Sequence, residues 1–464
     1  MKTTETTSAI PREISTMNHH QLLIRARKFF VACYCSFAVI QVASASDPVP
    51  AAKQKKPIAL VGGTIYTVSG GVIQNGTVVF DKGKIVAVGV NVTIPAGSDR
   101  IDVSGKRIYP GLIDANTIMG LYEIGSVRAT FDYSETGTIN PNVRAEVAVN
   151  PESELIPVAR SGGIAVTAST PRGGLVSGLA AAIMMDGWTW EDMTLKAALG
   201  LVVNWPAMAY VESRFSRRTR EEWQKTRDEQ LKALQDAFAN ARAYMKAKKA
   251  EQQKGVPYHD TDLRWAAMIP VLEGTVPVWV NANEASQIQA AITWAGEEGV
   301  KLVIVGGRDA WRVSDQLKAK NIPVVLTEIL SSPGRRWEDY DLVYSLPRRL
   351  KEAGVRFCIA GDPDPSNSRN LNHHAATASA FGLSKENALR AITLDAASIL
   401  GIESMVGSID VGKDATLIVA DGDVLELSSK IERLFIQGKT IDLRDRHKQL
   451  YGKYEEKYRQ LGGQ

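Results

Sequence analysis

Metal-assisted or nucleophilic chemistry in this chain has little to draw on. There are six histidines (His19, His20, His259, His373, His374, His447) and three cysteines (Cys33, Cys35, Cys358). A hydrolase that grips zinc through several imidazoles must find them among those six. His373 and His374 stand side by side in NLNHHAATASAFG, a helix-like stretch. Neighbours on a helix point ~100° apart, and pairs that face together are three or four residues apart. They are therefore expected to be one packed and one exposed, not a chelating pair. His259 lies in a polar loop (PYHDTD) and His447 in a charged tail. Arg172-Gly173-Gly174 follows the strand-like GIAVTAST, a flexible turn with a cation that could cradle a carboxylate or phosphate, or merely join two elements. In Asp186–Met193 (DGWTWEDM), Thr189 or a neighbour is placed to cap a helix with acids in its first turn. Its tryptophans are expected in the core. Nothing around Lys196 supports a carbamylated metal bridge.

The elements that would position such groups fall into two kinds. From Ile58 to Ile108, short β-branched runs are punctuated by glycine, with Asp81-Lys82-Gly83 as a tight turn. Gly407 to Ile441 has the same texture. Two such segments at opposite ends predict one discontinuous β-domain (58–108 plus 407–442) around an inserted unit (109–406). In that unit, apolar strands (YPGLIDA, GGIAVTAS, VPVWVNA, KLVIVGG, IPVVLTE, VRFCIAGD) alternate with helical patterns such as Glu284–Glu298 and Val313–Lys320. The fold class is α/β, and the length suits a (β/α)8 TIM-like barrel. An open doubly wound sheet is the alternative, although no G-x-G-x-x-G follows a strand. Residues 212–255 read as a long amphipathic helix or hairpin, either a lid or a solvated helix on the surface. Residues 443–464 read as a charged helical tail.

Catalytic groups of a barrel sit at the C-terminal ends of its strands. The strand VPVWV is followed by Asn281, KLVIV by Gly306-Gly307-Arg308, and VRFCIA by Asp362 with Arg369 and Asn370 shortly after. With P-G-L-I-D-A after the first strand pair and G-S-I-D-V-G-K-D-A-T-L-I-V near the end, the chain resembles the amidohydrolase superfamily from Ile58 to Ile441. The likeness is to its imidazolonepropionase-like and periplasmic amidohydrolase-like branch. The resemblance implies a metal-dependent barrel beside a composite β-sandwich, a divalent ion such as zinc, and hydrolysis of carbon–nitrogen bonds other than peptide bonds. It also implies histidines where Asn116 and Ile118 stand, a histidine at Asn281 and another at Gly306. Only the aspartate, Asp362, is kept as catalytic base. Asparagine is a poor zinc ligand and isoleucine none. No metal-binding residue is therefore assigned. Asn116, Asn281, Arg172, Arg308 and Arg369 become candidate substrate contacts.

The shortfall matters energetically. Zinc brings bound water to a pKa of about 7, against about 15.7 in bulk. A general base alone contributes roughly 10²–10⁴ in rate. Two readings follow: a hydrolase with a degenerate or metal-free site, or a catalytically silent relative serving as a ligand-binding or partner subunit of an active homologue.

Composition sets the outer bounds. The chain has 464 residues, 44% hydrophobic and 23% charged, which excludes a disordered or fibrous class. Its 55 basic and 51 acidic residues give no nucleic-acid footprint. Partners are expected to be a small-molecule substrate or ligand, with homo- or hetero-oligomers open. Residues 1–45 read as a signal peptide, basic, then apolar, then Ala43-Ser44-Ala45, with Met17 an alternative start. A retained membrane anchor is the alternative. Residues 46–57 are a linker. The mature chain is thus expected in the periplasm or outside the cell, keeping only Cys358.

Overall fold

β-branched strands at the two ends of the chain meet in one sheet. The computed structural model describes residues 49–210, 218–251 and 257–462. The expected signal peptide, the start of the linker and the two ends of the 212–255 insertion lie outside the described residues. From Pro50 onward, strands β1 (Ile58–Tyr66), β2 (Val72–Asp81), β3 (Lys84–Gly89), β4 (Asp99–Asp102) and β5 (Arg107–Pro110) come from the N-terminal side. β14 (Leu417–Ala420), β15 (Ile431–Ile436) and β16 (Lys439–Thr440) return from the far end. The order is β16-β15-β14-β5-β1-β2-β3, with β4 added alongside β1. The β2–β3 hairpin turns on Lys82 and Gly83, both at positive φ (49° and 80°), as the Asp-Lys-Gly signal requires. Ile58, Leu60, Phe80, Leu417 and Phe435 are buried together on one face.

The second sheet is the barrel. It runs β6 (Leu112–Thr117), β7 (Ile164–Ser169), β8 (Val176–Met184), β9 (Thr194–Asn204), β10 (Val278–Ala282), β11 (Leu302–Gly306), β12 (Val324–Leu326) and β13 (Phe357–Ile359). Eight strands curl almost to closure, which removes the open doubly wound alternative. One strand departs from the regular (β/α)8 pattern: β8 is antiparallel to both β7 and β9. Its connections are hairpin loops, too short for a parallel crossover of about a dozen residues. The Asp186–Met193 element is the second of these loops. Thr189 Oγ1 there accepts from Asp192 N, capping a single helical turn. Trp190 is half-buried, but Trp188 is 63% exposed, so the expectation of two core tryptophans is corrected. A hairpin loop has only one covered side.

The long insertion is a helix over Arg220–Ala250, closed at its start by a capping box between Thr219 and Glu222. Leu234, Ala237, Phe238 and Ala241 form its one buried stripe. The Phe238 ring meets Trp294 edge-on at 5.0 Å. The rest of the helix is half-buried or exposed. The tail forms a helix over Arg446–Gln460 with no buried residue.

Between β13 and β6 the ladder is missing. Ile113 N on β6 finds a backbone acceptor in Ile392 O at 2.9 Å, just after the Lys385–Ala391 helix. A side chain supplies another: Gly361 N donates to Asp114 Oδ1 at 3.0 Å. A carboxylate thus takes the place of a backbone acceptor where the barrel closes.

Candidate functional site

The strand ends converge on one mouth of the barrel, and each proposed residue can be followed there. Asn116 closes β6 and is buried. Its Oδ1 lies 3.1 Å from Thr170 Oγ1, just past the end of β7. Ile118 is packed into the hydrophobic core. Asn281, at the end of β10, donates through Nδ2 to Asn204 Oδ1 at 2.8 Å, its register partner on β9. Asn204 in turn donates to Gly174 O at 2.8 Å and to Ser177 Oγ at 3.0 Å. Both asparagines are thereby tied to the neighbouring strand end.

Asp362 follows β13 and is half-buried. One carboxylate oxygen accepts from Asp364 N at 2.8 Å and the other from Asn367 Nδ2 at 3.3 Å, so it shapes its own loop. Arg172 reaches across from the loop after β7 to donate to Pro363 O at 2.7 Å. Burial pulls its guanidinium below the usual value, and Tyr133, Asp364, Asp362 and Glu328 act against that pull. Arginine stays protonated throughout, so Arg172 is a half-sheltered cation facing a set of acids.

Two buried titratable groups lie under this rim. Asp114 is fully buried, and loss of water raises its carboxyl to about 6. The N–H groups of Gly361 and Asn116 and the Ser368 hydroxyl offset part of the rise, while the negative charge of Asp362 adds to it. The Ser368 hydroxyl also stands 3.3 Å from Thr117 Oγ1, and Asp114 Oδ2 has no well-formed hydrogen bond. His374 is only 3% exposed and burial brings it down to about 4, with Asp362 opposing and His373 reinforcing the shift. Its Nδ1 has no hydrogen-bond partner among the described residues. His373 is half-buried, so one histidine is packed and the other reaches the surface only in part.

Two of the proposed contacts are occupied elsewhere. Arg308 forks onto Glu338 at 3.0 and 3.3 Å and also donates to Ser332 O. Glu338 also accepts from Arg335, which pairs with Asp309 at 2.8 Å. This network fixes the loop after β12. Arg369 is exposed and donates to Ser366 O within its own turn. The structure therefore gathers Asn116, Arg172 and Asp362 on one arc of the mouth and Asn281 with Asn204 on another. Glu328 is a residue that reading the sequence missed. It follows β12 at φ +57°, a left-handed conformation costly for glutamate, and its charge acts on Arg172. Its position one residue past the strand-like VVLT was the available signal.

The donor set does not fit a zinc ion. Where the resemblance expects imidazoles there are two amides committed to neighbours, a core isoleucine and a glycine. Among the described residues no three of His, Cys, Asp or Glu converge as metal ligands.

Comparison with known proteins bears on the whole arrangement. The family model described as "Amidohydrolase family" matches residues 343–441. An amidohydrolase from Thermotoga maritima has a solved structure that superposes with a TM-score of 0.75 at 28% identity, covering 83% of this chain and 100% of that one. Amidohydrolase tasK of Hapsidospora irregularis is 22% identical over 425 residues, 84% of this chain and 42% of the relative. An imidazolonepropionase of Sphingopyxis alaskensis is 36% identical over 89 residues, 18% of this chain and 21% of the relative. The chain thus spans less than half the length of either curated relative.

Proposed function

We propose that this chain, which belongs to the amidohydrolase superfamily, uses the barrel mouth to bind a small amide- or carboxylate-bearing ligand and has given up metal-assisted hydrolysis. The observation that carries this reading is the commitment of Asn116 to Thr170 and of Asn281 to Asn204, at positions where the superfamily pattern calls for histidines. Amides donate and accept, so they suit a polar ligand better than a divalent ion. Arg172 supplies the positive charge for a ligand carboxylate. The chain then acts as a ligand-binding subunit, alone or beside an active homologue.

A second reading is hydrolysis of a carbon–nitrogen bond, other than a peptide bond, without a metal. It is favoured by Asp362, the one carboxylate kept from the pattern, facing the same mouth as Arg172. In that case Asp362 takes a proton from the attacking water.

One set of measurements separates the two. Dihydrouracil and N-acetylglycine serve as probes, with binding read by calorimetry and turnover by loss of ring absorbance as dihydrouracil opens to its ureido acid and by glycine release from N-acetylglycine. Binding that Arg172→Ala weakens, with no turnover, supports the first reading. Turnover abolished by Asp362→Asn supports the second. Stoichiometric zinc, iron or manganese in chelator-free protein, together with turnover insensitive to Asp362→Asn, overturns both. Export to the periplasm or beyond is part of the same proposal and rests on residues 1–45. Fractionation of a tagged chain tests it. Among the described residues, no helix is long and apolar enough to cross a membrane.

A further inference from the structure

The opposite end of the barrel holds a cavity of about 610 Å³, within the usual size range of small-molecule sites. Its walls are the starts of the strands. Lys196 lies near the start of β9, Pro277 precedes β10, Lys301 precedes β11, Pro323 precedes β12 and Arg356 precedes β13. Four cations (Lys196, Lys301, Lys320 and Arg356) line it, and no aspartate or glutamate does. Twenty-six ion pairs join described residues elsewhere, yet none of them uses these four cations. On the rim opposite, by contrast, Arg308 and Arg335 are neutralised in place by Glu338 and Asp309.

The local contacts leave the charges available. The Arg356 guanidinium holds only two long neutral contacts, 3.4 Å to Asn321 Oδ1 and 3.4 Å to Ser398 Oγ. Lys196 Nζ lies 3.0 Å from Gly401 O and 3.3 Å from Leu400 O, at the end of the Leu394–Leu400 helix. Lys320 Nζ folds over Gly296, 3.4 Å from where a Cβ would stand. Lys301, Lys320 and Arg356, which have no ion-pair partner among the described residues, together with Lys196 on the helix-end carbonyls, focus a positive potential into a recess with low-dielectric walls. A planar guanidinium fork with flanking ammonium groups suits a multiply charged oxyanion.

We infer that the N-terminal mouth of the barrel is a binding site for a small, multiply charged oxyanion, a phosphoryl- or polycarboxylate-bearing molecule, separate from the mouth that holds Asp362. The inference does not depend on the function proposed for that mouth.

The test uses the full chain, with pyrophosphate and citrate titrated calorimetrically at matched ionic strength. Pyrophosphate or citrate binding in the micromolar to sub-millimolar range is expected. The double variant Lys301→Gln with Lys320→Gln weakens it by about tenfold or more, equivalent to about 1.4 kcal/mol. The charge-keeping pair Lys301→Arg with Lys320→Arg retains it. Both pairs are surface replacements, and unchanged thermal unfolding confirms that each variant folds. The stronger of the two probes identifies whether phosphoryl or carboxylate oxygens are preferred. The inference is overturned when neither probe binds below about 10 mM, or when the glutamine pair binds as tightly as the original chain.

Discussion

Replacing Asp114 by asparagine tests how the barrel is closed. The carboxyl sits at about 6 instead of 3.8 because burial strips its water and Gly361 N–H, Asn116 N–H and Ser368 only partly compensate. The sign follows from linkage. The unfolded chain gives up this proton near pH 4, and the folded chain holds it to about pH 6. Stability from this group is therefore full below about pH 4, falls as pH rises through the interval, and is lowest above it. A shift of about two units is worth about 3 kcal/mol. Asparagine keeps an oxygen to accept from Gly361 N and carries no charge. The difference in unfolding free energy, variant minus original, should grow by about 3 kcal/mol between about pH 4 and about pH 8. Guanidinium unfolding across that range measures it. Parallel pH profiles would refute the reasoning, because they would mean that the carboxyl titrates alike in folded and unfolded chains. A companion change, Gly361→Ala, places a methyl 2.9 Å from Asp114 Oδ2 and should destabilise at every pH by about 1–3 kcal/mol, the usual cost of overpacking.

Three further outcomes follow from the same structure. His374, brought down to about 4 from 6.5, makes the original chain lose stability as pH falls from about 6.5 to about 4, by about 3 kcal/mol; His374→Leu should flatten that acid limb, and an unaltered limb in acid titrations of the unfolding midpoint would count against it. Asp186→Ala strands the buried Arg160 and the half-buried Lys439, whose charges it now shares at 3.4 and 2.8 Å, and should cost about 3–5 kcal/mol in denaturant unfolding; a loss under about 1 kcal/mol contradicts the assignment. Phe238→Ala removes the buried aromatic contact of the Arg220–Ala250 helix with Trp294 and should cost about 3–5 kcal/mol, with faster protease cleavage in that helix as the local readout.

The six strands read from sequence were those built from Val, Ile, Leu and Phe, and all six are present as β6, β7, β10, β11, β12 and β13. The two that were missed explain themselves. β8 (VSGLAAAIM) carries three alanines and a glycine, and β9 (TLKAALGLVVN) has Lys196 near its start and Gly200 in its middle. Alanine and glycine are poor strand formers by propensity. Here packing overrides propensity: Trp279 fills the space beside Gly200, where any Cβ would collide with its indole. The site was legible to the same partial degree. Strand-end position located Asn116, Asn281 and Asp362 without coordinates. It could not reveal that Arg308 is held by Glu338, since that partner lies 30 residues further along in a loop. Nor could it give Asp114 a role, because a motif aspartate followed by alanine says nothing of the gap between first and last strand.

That gap suggests how the mouth keeps its shape. In the pattern the chain resembles, ligands at the ends of β6, β10, β11 and β13 would be held to one another through a shared ion. Here each end is held sideways instead: Asn116 to Thr170, Asn281 to Asn204, Arg172 to Pro363, and Gly361 to Asp114. A hydrogen bond of this kind contributes about 0.5–1.5 kcal/mol net, somewhat more where a charge takes part. Four of them supply a few kcal/mol toward fixing the rim. The rim so held carries the Asn116 and Asn281 amides, the Arg172 guanidinium and the Asp362 carboxylate.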